Sequence, residues 1–393
     1  MSAVRIVVIG AGAIGCFVGG RLAAAGIDVT LVGRASTAAA VRNRGLELRV
    51  AGGATQTVRS VAAAASTREA ILSQERGTGR ASQPEETATL PSPFDLAILT
   101  VKSYDTAAAL DELAEAAAMA VAPLPPVLSL QNGVGNEETI AARLGPDSVI
   151  AGTITAPVEV LEPGTVQVTK PGFAVGLAPW MAASTASAGL RVEDSASRDQ
   201  VSLCTISRYF ATAGIPAKVY ADAPAMKWSK LIMNMIGNAT SAILAEPPGV
   251  TFADTRIANL EIDALREALR VMSAAGIPLL NVEKYPLGAL APLLRFGPRA
   301  LLRPALQRIV GGARGGKMPS LFLDLDAGKR GSEIGWYNGA IVRKGEEVGV
   351  ETPVNLLLTQ TVRQLVAQPQ LRAAWRGNFD RLAHAASSGL GSD

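Results

Sequence analysis

The opening of the chain constrains its fold more than any other stretch. Arg5–Ile9 reads RIVVI, an almost wholly apolar run typical of a strand buried on both faces of a parallel sheet. The sequence GAGAIG follows, a helical pattern continues to about Ala25, and a second apolar run covers residues 27–32. A strand, a turn, a helix and a strand within about 30 residues predict a βαβ unit.

The turn between the first strand and the helix has the glycine spacing of dinucleotide-binding folds. Gly10 permits a tight turn, Gly12 lets the backbone approach a pyrophosphate, and Gly15 lets the helix pack close to the strand. The helix N-terminus then attracts the phosphate charge. We therefore predict that a dinucleotide binds to the residues of this turn, which are Gly10, Ala11, Gly12, Ala13, Ile14 and Gly15.

The end of the second strand indicates which nicotinamide dinucleotide is bound. NAD-binding folds usually carry an acidic residue there, which holds the 2′-hydroxyl of the ribose. This chain reads LVGRAST at residues 31–37, so Arg34 stands in place of the acid and two hydroxyl residues follow it. A guanidinium beside hydroxyl groups suits a 2′-phosphate, and the sequence therefore predicts NADPH in preference to NADH.

The rest of the chain separates into a strand-rich part and a helical part. Further apolar runs suited to strands lie at residues 46–50, 95–101, 126–130 and 148–154, and after about residue 221 long helical patterns lie at 225–244, 255–275, 333–348 and 353–367. These patterns predict an α/β Rossmann-type dinucleotide-binding domain at residues 1–222, followed by an all-helical domain at 223–393. Residues 62–93 and 181–198 show no clear periodicity and are interpreted as surface insertions.

Composition excludes several kinds of chemistry. The chain has one histidine, His384, and two cysteines, Cys16 and Cys204. A zinc site needs more ligands of these types, and two thiols cannot build a disulfide framework. We therefore expect no metal site, and we expect the chemistry to depend on Lys, Asn, Ser, Asp or Glu side chains or on a cofactor.

Positive charge is concentrated in one segment. The net charge is +3, yet residues 281–317 carry seven basic residues and one acidic residue. Nucleic-acid-binding faces usually spread basic charge and place aromatic residues beside it, so no nucleic-acid partner is expected. We interpret residues 284–317 as a solvated helical insertion, with a lid, a partner-docking arm and a membrane-surface helix as alternatives. No targeting segment or membrane span is recognised, and the expected location is cytoplasmic.

Three polar residues interrupt an otherwise apolar helical pattern at residues 230–244. Lys230, Asn234 and Asn238 are spaced four residues apart, which places them in one line on one helix face. Asparagine disfavours helix interiors, and a buried amide without partners costs about 1–3 kcal/mol. The spacing therefore predicts a polar pocket wall. The alternative is an ordinary solvated stripe, which would more typically use Glu, Lys and Arg.

Five motifs, taken in order, resemble those of the 2-dehydropantoate 2-reductase (ketopantoate reductase) family. They are GAGAIG at 10–15, VKS at 101–103, QNGVG at 131–135, KLxxNxxxN at 230–238, and the pattern PS…D…ExxxxNG at 319–339. The match covers nearly the whole chain apart from the three segments interpreted as insertions. It implies NADPH-dependent reduction of a 2-oxo acid, 2-dehydropantoate, to pantoate in pantothenate biosynthesis. It also implies a homodimer formed through the helical domain.

The resemblance implies substrate-side roles for particular residues. Substrate contacts are implied for Asn132, Lys230, Asn234, Asn238 and Ser320, the last of them to the substrate carboxylate. Lys230 is expected to be the general acid. This role is chemically coherent, because hydride addition to a ketone carbon develops an alkoxide that needs a proton donor and a positive charge.

Cofactor contacts are implied for three residues outside the glycine-rich turn. Lys102 is expected to contact the cofactor, and Asn132 to lie between the nicotinamide ribose and the substrate. Glu333 is expected to contact the cofactor, to position Lys230, or to do both.

Three positions depart from the family's pattern. The family carries a further Asn about ten residues after Asn238, whereas residues 245–248 read AEPP here. The family's TEID reads SEIG at 332–335, and the spacing from Ser320 to Glu333 is one residue longer. These departures leave open a reductase of the same fold that acts on a different ketone. A non-catalytic NADP-sensing regulator is a further alternative, although a sensor needs no proton donor.

Overall fold

A computed structural model describes residues 4–50, 53–77, 92–170, 172–180, 202–282, 287–314 and 317–389 of the chain. The chain forms two compact units. The first takes in the chain up to Gln131 together with Asn136–Ala223, and the second takes in Asn132–Gly135 together with the chain from Pro224 onward. Four residues from the first half of the sequence therefore belong to the second unit.

Strands and helices alternate in the first unit. Its strands are β1 (Arg5–Ile9), β2 (Asp28–Val32), β3 (Leu46–Val50), β4 (Thr55–Val58), β5 (Ala62–Ala64), β6 (Leu96–Leu99), β7 (Val127–Ser129), β8 (Val149–Thr155), β9 (Val158–Glu162), β10 (Thr165–Val168), β11 (Ala174–Pro179) and β12 (Ala217–Val219). Its helices are α1 (Ala13–Ala24), α2 (Ala35–Arg44), α3 (Thr67–Gly77), α4 (Thr106–Met119), α5 (Asn136–Leu144) and α6 (Leu203–Thr212).

Eight strands form the main sheet, in the order β12-β11-β8-β7-β6-β1-β2-β5. Strand β1 pairs in parallel with β2 on one side and with β6 on the other, and Ile9 stands opposite both Val32 and Leu99 at the carboxyl ends. The chain thus winds outward in both directions from β1. In doubly wound sheets the crevice at this switch point is where ligands bind.

Strand β1 is buried on both faces, as its sequence predicts. Ile6 and Val8 pack in one apolar cluster with Phe17 of α1, while Val7 packs in a second cluster with Leu110 of α4. Burying apolar surface stabilises a fold by roughly 25 cal/mol per Å². The two clusters place helices on both sides of the sheet, and the predicted α/β architecture is confirmed.

A second, smaller sheet was not predicted. Its four strands lie in the order β4-β3-β10-β9, with β3 parallel to β10 and antiparallel to β4. The prediction of a strand at Leu46–Val50 is right, but the strand lies in this sheet and not in the main one. Strands such as β4, which reads TQTV, are too short and polar to show a clear alternating pattern.

The segment at residues 62–93, interpreted as a surface insertion without clear periodicity, has regular structure in its first half. Residues Ala62–Ala64 form β5, which pairs with β2 at the edge of the main sheet, and Thr67–Gly77 form α3. Alanine favours helices over strands, so a strand composed of three alanines gives no signal in the sequence. Residues 78–91 and the predicted insertion at 181–198 lie outside the described residues.

The second unit is built of helices. They are α7 (Ala223–Met235), α8 (Asn238–Leu244), α9 (Pro248–Thr251), α10 (Thr255–Ala274), α11 (Leu287–Phe296), α12 (Arg299–Arg314), α13 (Ser320–Asp326), α14 (Asn338–Val348), α15 (Pro353–Ala367), α16 (Arg372–Trp375) and α17 (Phe379–Gly389). The first residue of α7, Ala223, is assigned to the first unit. The long helix α10 begins at a side-chain cap, because the Asp254 carboxylate accepts hydrogen bonds from the backbone N–H groups of Arg256 and Ile257. The prediction of a helical C-terminal part is confirmed for the described residues.

Two of the predicted helices are broken. The pattern at 225–244 divides into α7 and α8 at Gly237, which adopts a left-handed conformation with φ of +65°. The pattern at 333–348 begins as a 3-10 turn, Glu333–Trp336, and continues as α14. Apolar periodicity continues across breaks of one or two residues, so it did not reveal either boundary.

The basic segment is helical in its described residues, α11 and α12. Its packing goes beyond a solvated insertion, because Leu302 and Leu306 of α12 are buried in the core of the second unit. The side chain of Gln307 also donates to the carbonyl of Phe252 at 2.7 Å. None of the described helices is long and apolar enough to cross a membrane.

Candidate active site

Close backbone packing shapes the glycine turn, which we define as residues 10–15. Gly10 has a φ of +113°, and the backbone N–H groups of Gly10 and Ala11 both donate to the carbonyl of Val32, at 2.9 and 2.8 Å. A Cβ atom on Gly10 would lie 2.6 Å from the Val101 nitrogen, and one on Gly15 would lie 2.1 Å from the Gly10 carbonyl oxygen. Both positions therefore require glycine.

Space is left at the start of α1. Apart from its chain neighbours and the backbone of its own helix, no atom of the described residues lies within 4 Å of the position that a Cβ atom on Gly12 would take. Gly12 precedes the first turn of α1, which contains no acidic residue and has no side-chain cap. The first backbone N–H groups of a helix have no partner within the helix, and an open helix start of this kind fits the pyrophosphate of a dinucleotide.

The segment after β2 keeps its positive character in the structure. Arg34 is exposed and immediately precedes α2, and Ser36 is exposed in the first turn of that helix. Residues 33–45 contain no acidic residue. The arrangement can hold a phosphate group on the ribose, and no carboxylate in this segment would repel it.

The end of β6 lies against the glycine turn. The hydroxyl of Thr100 donates to the Gly10 carbonyl at 2.8 Å. Lys102, two residues later, immediately precedes a 3-10 turn. The amide of the buried Gln131 donates to the Val101 carbonyl at 3.0 Å and to the Thr106 hydroxyl at 2.8 Å. Thr100 and Gln131 were not predicted as site residues, although Thr100 directly follows a buried strand and Gln131 opens the QNGVG motif.

A second group of predicted residues meets in the second unit, where we call Asn132, Asn234 and Asn238 the amide cluster. The Asn234 side-chain amide donates to Asn132 Oδ1 at 3.2 Å. Asn238 donates through Nδ2 to the Asn234 backbone carbonyl at 3.1 Å, so the three asparagines form a connected set. The prediction of one continuous helix face for residues 230–238 is nevertheless wrong, because Asn238 begins a new helix.

The amide cluster extends to Ser320. The Oδ1 atom of Asn238 accepts a hydrogen bond from the Leu321 backbone N–H at 3.2 Å, and Ser320 is the first residue of the same helix, α13. Both ends of the Asn238 amide thus hold backbone groups. The structure assigns this residue a structural part that the sequence did not indicate.

Lys230 and Glu333 are both buried, with 6% and 4% of their surface exposed. Lys230 lies one helical turn before Asn234 on α7, so the two side chains share a face. Glu333 begins the 3-10 turn whose last residue, Trp336, accepts a hydrogen bond from the Val134 backbone N–H at 3.1 Å. The turn that carries Glu333 is therefore attached to the segment that carries Asn132.

The residues that the sequence singled out belong to both units. Gly10–Gly15, Arg34 and Lys102 belong to the first unit, and the substrate-side residues and Glu333 belong to the second. Their individual roles stay predictions. In the first unit, an open helix start has the donors that suit a phosphate group. In the second unit, a lysine with neutral amides beside it has the groups that can bind a carbonyl compound and protonate it.

Two family descriptions match most of the chain. Residues 6–179 match ketopantoate reductase PanE/ApbA, and residues 222–366 match its C-terminal part. The 2-dehydropantoate 2-reductase of Pyrococcus horikoshii is 29% identical over 361 residues, which covers 91% of this chain and 96% of that protein. The enzyme of the same name from Archaeoglobus fulgidus is 27% identical over 91% of this chain and 97% of its own length.

Solved structures give the same result. A PanE/ApbA family ketopantoate reductase from Ralstonia eutropha JMP134 matches with a TM-score of 0.70 and 28% identity, over 93% of this chain and 99% of that one. D-mandelate dehydrogenase with NADH and anilino(oxo)acetate matches with a TM-score of 0.67 over the same shares, and at 20% identity it shows the fold alone. Members of the family use a nicotinamide cofactor. The chain belongs to the ketopantoate reductase family and is an oxidoreductase of that family.

Proposed function

We propose that this protein reduces a 2-oxo acid with NADPH, and that 2-dehydropantoate, which is reduced to pantoate, is its substrate. The observation that carries the proposal is the contact between Asn234 and Asn132, one helical turn from Lys230. It joins two sequence motifs that lie 102 residues apart. The names of the relatives from Pyrococcus horikoshii and Archaeoglobus fulgidus support the choice of substrate.

Arg34 and the glycine turn are proposed to select and hold NADPH. The backbone donors at the start of α1 bind the pyrophosphate, and the Arg34 guanidinium binds the 2′-phosphate. Lys102, Asn132 and Glu333 add contacts to the cofactor. The reduced nicotinamide, when bound, supplies the hydride.

Lys230 is proposed to hold the proton that the product alcohol receives. A lysine side chain ordinarily carries its proton at neutral pH. Its ammonium group stabilises negative charge on the carbonyl oxygen and donates the proton from Nζ as the alkoxide develops. Glu333, which is buried in the same unit, is proposed to position Lys230 in addition to its contact with the cofactor.

Neutral groups are proposed to bind the carboxylate and the oxo group of the substrate. The amides of Asn132, Asn234 and Asn238 and the hydroxyl of Ser320 can donate hydrogen bonds without adding a negative charge. An acidic residue in their place would repel a 2-oxo acid. This chemistry applies to any 2-oxo acid of suitable size.

The decisive experiment measures absorbance at 340 nm with purified protein, NADPH and 2-dehydropantoate, and uses NADH as the comparison. Turnover that is at least about tenfold more efficient with NADPH is expected, since a hydrogen bond to a charged group contributes about 1.5–3 kcal/mol. Tight NADPH binding without turnover would remove 2-dehydropantoate from the proposal and leave the cofactor assignment in place.

A different 2-oxo acid is the second candidate substrate. The chain carries AEPP at residues 245–248, where the family has an asparagine, and Ala245 there adopts a left-handed conformation with φ of +54°. The similar fold of D-mandelate dehydrogenase accommodates anilino(oxo)acetate. A panel of aliphatic and aromatic 2-oxo acids, compared by kcat/KM, separates the two candidates. The homodimer and the cytoplasmic location stay predictions.

A further inference from the structure

A buried carboxylate lies on the core-facing side of α10. Glu261 has 3% of its surface exposed, and its neighbours on the same helix face include the buried Ile257 and Leu265. Burying an ionisable group among apolar side chains is costly unless hydrogen bonds compensate for the lost water. A glutamate at this position therefore needs a structural reason.

The carboxylate of Glu261 holds the break between α7 and α8. The Gly237 backbone N–H donates to Oε2 at 3.0 Å, and the Thr240 hydroxyl donates to Oε1 at 2.5 Å. Gly237 occupies the N-cap position of α8 and has no side chain with which to cap the helix. Glu261 accepts from the backbone N–H of the N-cap residue, as the Glu or Gln at the third position of a capping box does, but it does so from another helix.

The position of α8 in turn sets the amide cluster. Asn238 is the first residue of α8, and its side chain joins the Asn234 carbonyl to the Leu321 N–H at the start of α13. A shift of α8 would therefore move Asn238 and Ser320 together. The sequence singled out Asn234, Asn238 and Ser320 for chemistry. It did not single out Glu261, Gly237 or Thr240, which hold α8 in place.

We propose that Glu261 is a positioning residue, which fixes the start of α8 and thereby places Asn238 and Ser320 for the carboxylate of a 2-oxo acid. The substrate side of this inference rests on the proposed function. The structural side of the inference is that Glu261 controls the α7–α8 break and the start of α13. This side does not depend on the proposed function.

The test compares two buried glutamates of the same helix. Glu267 is also 3% exposed, but it accepts hydrogen bonds from the backbone N–H groups of Val354 and Asn355, each at 2.9 Å, at the start of α15. Both Glu261→Ala and Glu267→Ala remove a buried carboxylate that holds a helix start, so both lower the thermal midpoint. Glu261→Ala is expected to raise KM for the 2-oxo acid about tenfold with little change in kcat, because it displaces binding groups and leaves Lys230 in place.

Rescue by a conservative variant separates positioning from general stability. In Glu261→Gln the amide oxygen can accept from Gly237 and the amide nitrogen can donate to the Thr240 oxygen, so KM should stay within about threefold of wild type. Thr240→Val, which removes one hydrogen bond at nearly constant volume, should raise KM about threefold and serves if Glu261→Ala does not fold. An unchanged KM in Glu261→Ala, or in Thr240→Val where the former does not fold, would overturn the substrate side.

Hydrogen exchange tests the structural side without any substrate. In Glu261→Ala the amides of Gly237 and Leu321 should exchange at least about tenfold faster, as expected when a hydrogen bond worth about 1–3 kcal/mol is lost. In Glu267→Ala those amides should keep their wild-type rates, while those of Val354 and Asn355 exchange faster. Equal exchange at Leu321 in both variants would contradict the coupling, whether or not the protein reduces 2-oxo acids.

Discussion

The glycine turn and the amide cluster are specified by the sequence in different ways. The glycine turn is local, since its six residues follow one strand and its requirements arise from backbone contacts such as that of Gly15 with Gly10. The amide cluster joins Asn132 to Asn234 across 102 positions, and its Asn238 binds Leu321, 83 positions further along, in both cases by side-chain hydrogen bonds. A local site can be recognised from a short motif. A distributed site depends on supporting residues such as Glu261 that carry no motif.

The largest expected effect separates chemistry from binding in the distributed site. Lys230→Met should lower kcat about 10²–10⁴-fold, since it removes the proposed proton donor, while the dissociation constant of NADPH stays the same. Lys227→Met is the matched control, because Lys227 is buried on the same helix, with 4% of its surface exposed. Stopped-flow reduction and fluorescence titration of NADPH measure the two quantities. Equal losses in both variants would show that burial, and not the proton, is what matters.

Two glycine substitutions should divide the local site into a structural and a binding part. Gly15→Ala forces a Cβ atom against the Gly10 carbonyl, so it should destabilise the protein by about 1–3 kcal/mol and abolish tight NADPH binding. Gly12→Ala meets open space, so it should cost less than about 1 kcal/mol in stability and still weaken NADPH binding about tenfold. Thermal unfolding measures the stability of both variants, and titration with NADPH measures their affinity for the cofactor. Unchanged affinity in Gly12→Ala would show that no phosphate approaches this position.

Arg34 offers a smaller effect that sharpens the cofactor assignment. Arg34→Ala should raise KM for NADPH about tenfold and leave KM for NADH within about twofold, because only the former carries the 2′-phosphate. Arg42→Ala is the control, since Arg42 lies on α2, the helix that Arg34 precedes, and pairs with Glu69 at 2.6 Å. An equal rise of KM for NADPH and for NADH would show that Arg34 contacts a part of the dinucleotide other than the 2′-phosphate.

The smallest expected effect concerns Cys16, directly after the glycine turn. Burial away from water raises the pKa of its thiol from 9.0 to about 12, because desolvation disfavours the thiolate. Iodoacetamide at pH 8 should therefore label the exposed Cys204 and spare Cys16, as mass spectrometry would show. Between about pH 9 and 12 the folded state keeps the Cys16 thiol proton while the unfolded state loses it. The contribution of this thiol therefore lowers the free energy of unfolding as the pH rises through that range. Rapid labelling of folded Cys16 would contradict this environment.

The sequence predicted the parts of the fold that follow from uninterrupted patterns. Strand β1, the glycine turn and helix α10 were predicted to within one residue because apolar periodicity and glycine spacing report directly on them. The break at Gly237 was missed because apolar residues continue on both sides of it. Strand β5 was missed because three alanines indicate no strand.

The candidate site was predictable in its residues and not in its connections. Motif order brought forward Asn132, Asn234 and Asn238, yet nothing in the motifs indicated that the Asn238 amide holds the start of α13. The role of Glu261 had one available signal, an acidic residue on the apolar face of an amphipathic helix. Long-range hydrogen bonds of this kind depend on tertiary packing, and single-sequence patterns do not report them.

The membership of Asn132–Gly135 in the helical unit has a consequence for dissecting the protein. Val134 is buried in the core of that unit, and its N–H is bound by the Trp336 carbonyl. A fragment that ends at residue 223 would expose Val134 and leave that backbone donor to water, and a fragment that starts at residue 224 would lack Asn132. When the two units are expressed separately, the fragment ending at residue 223 should therefore expose an apolar loop at Val134. The fragment starting at residue 224 should have an incomplete core. Mixing the two fragments is the arrangement in which both would recover their native packing.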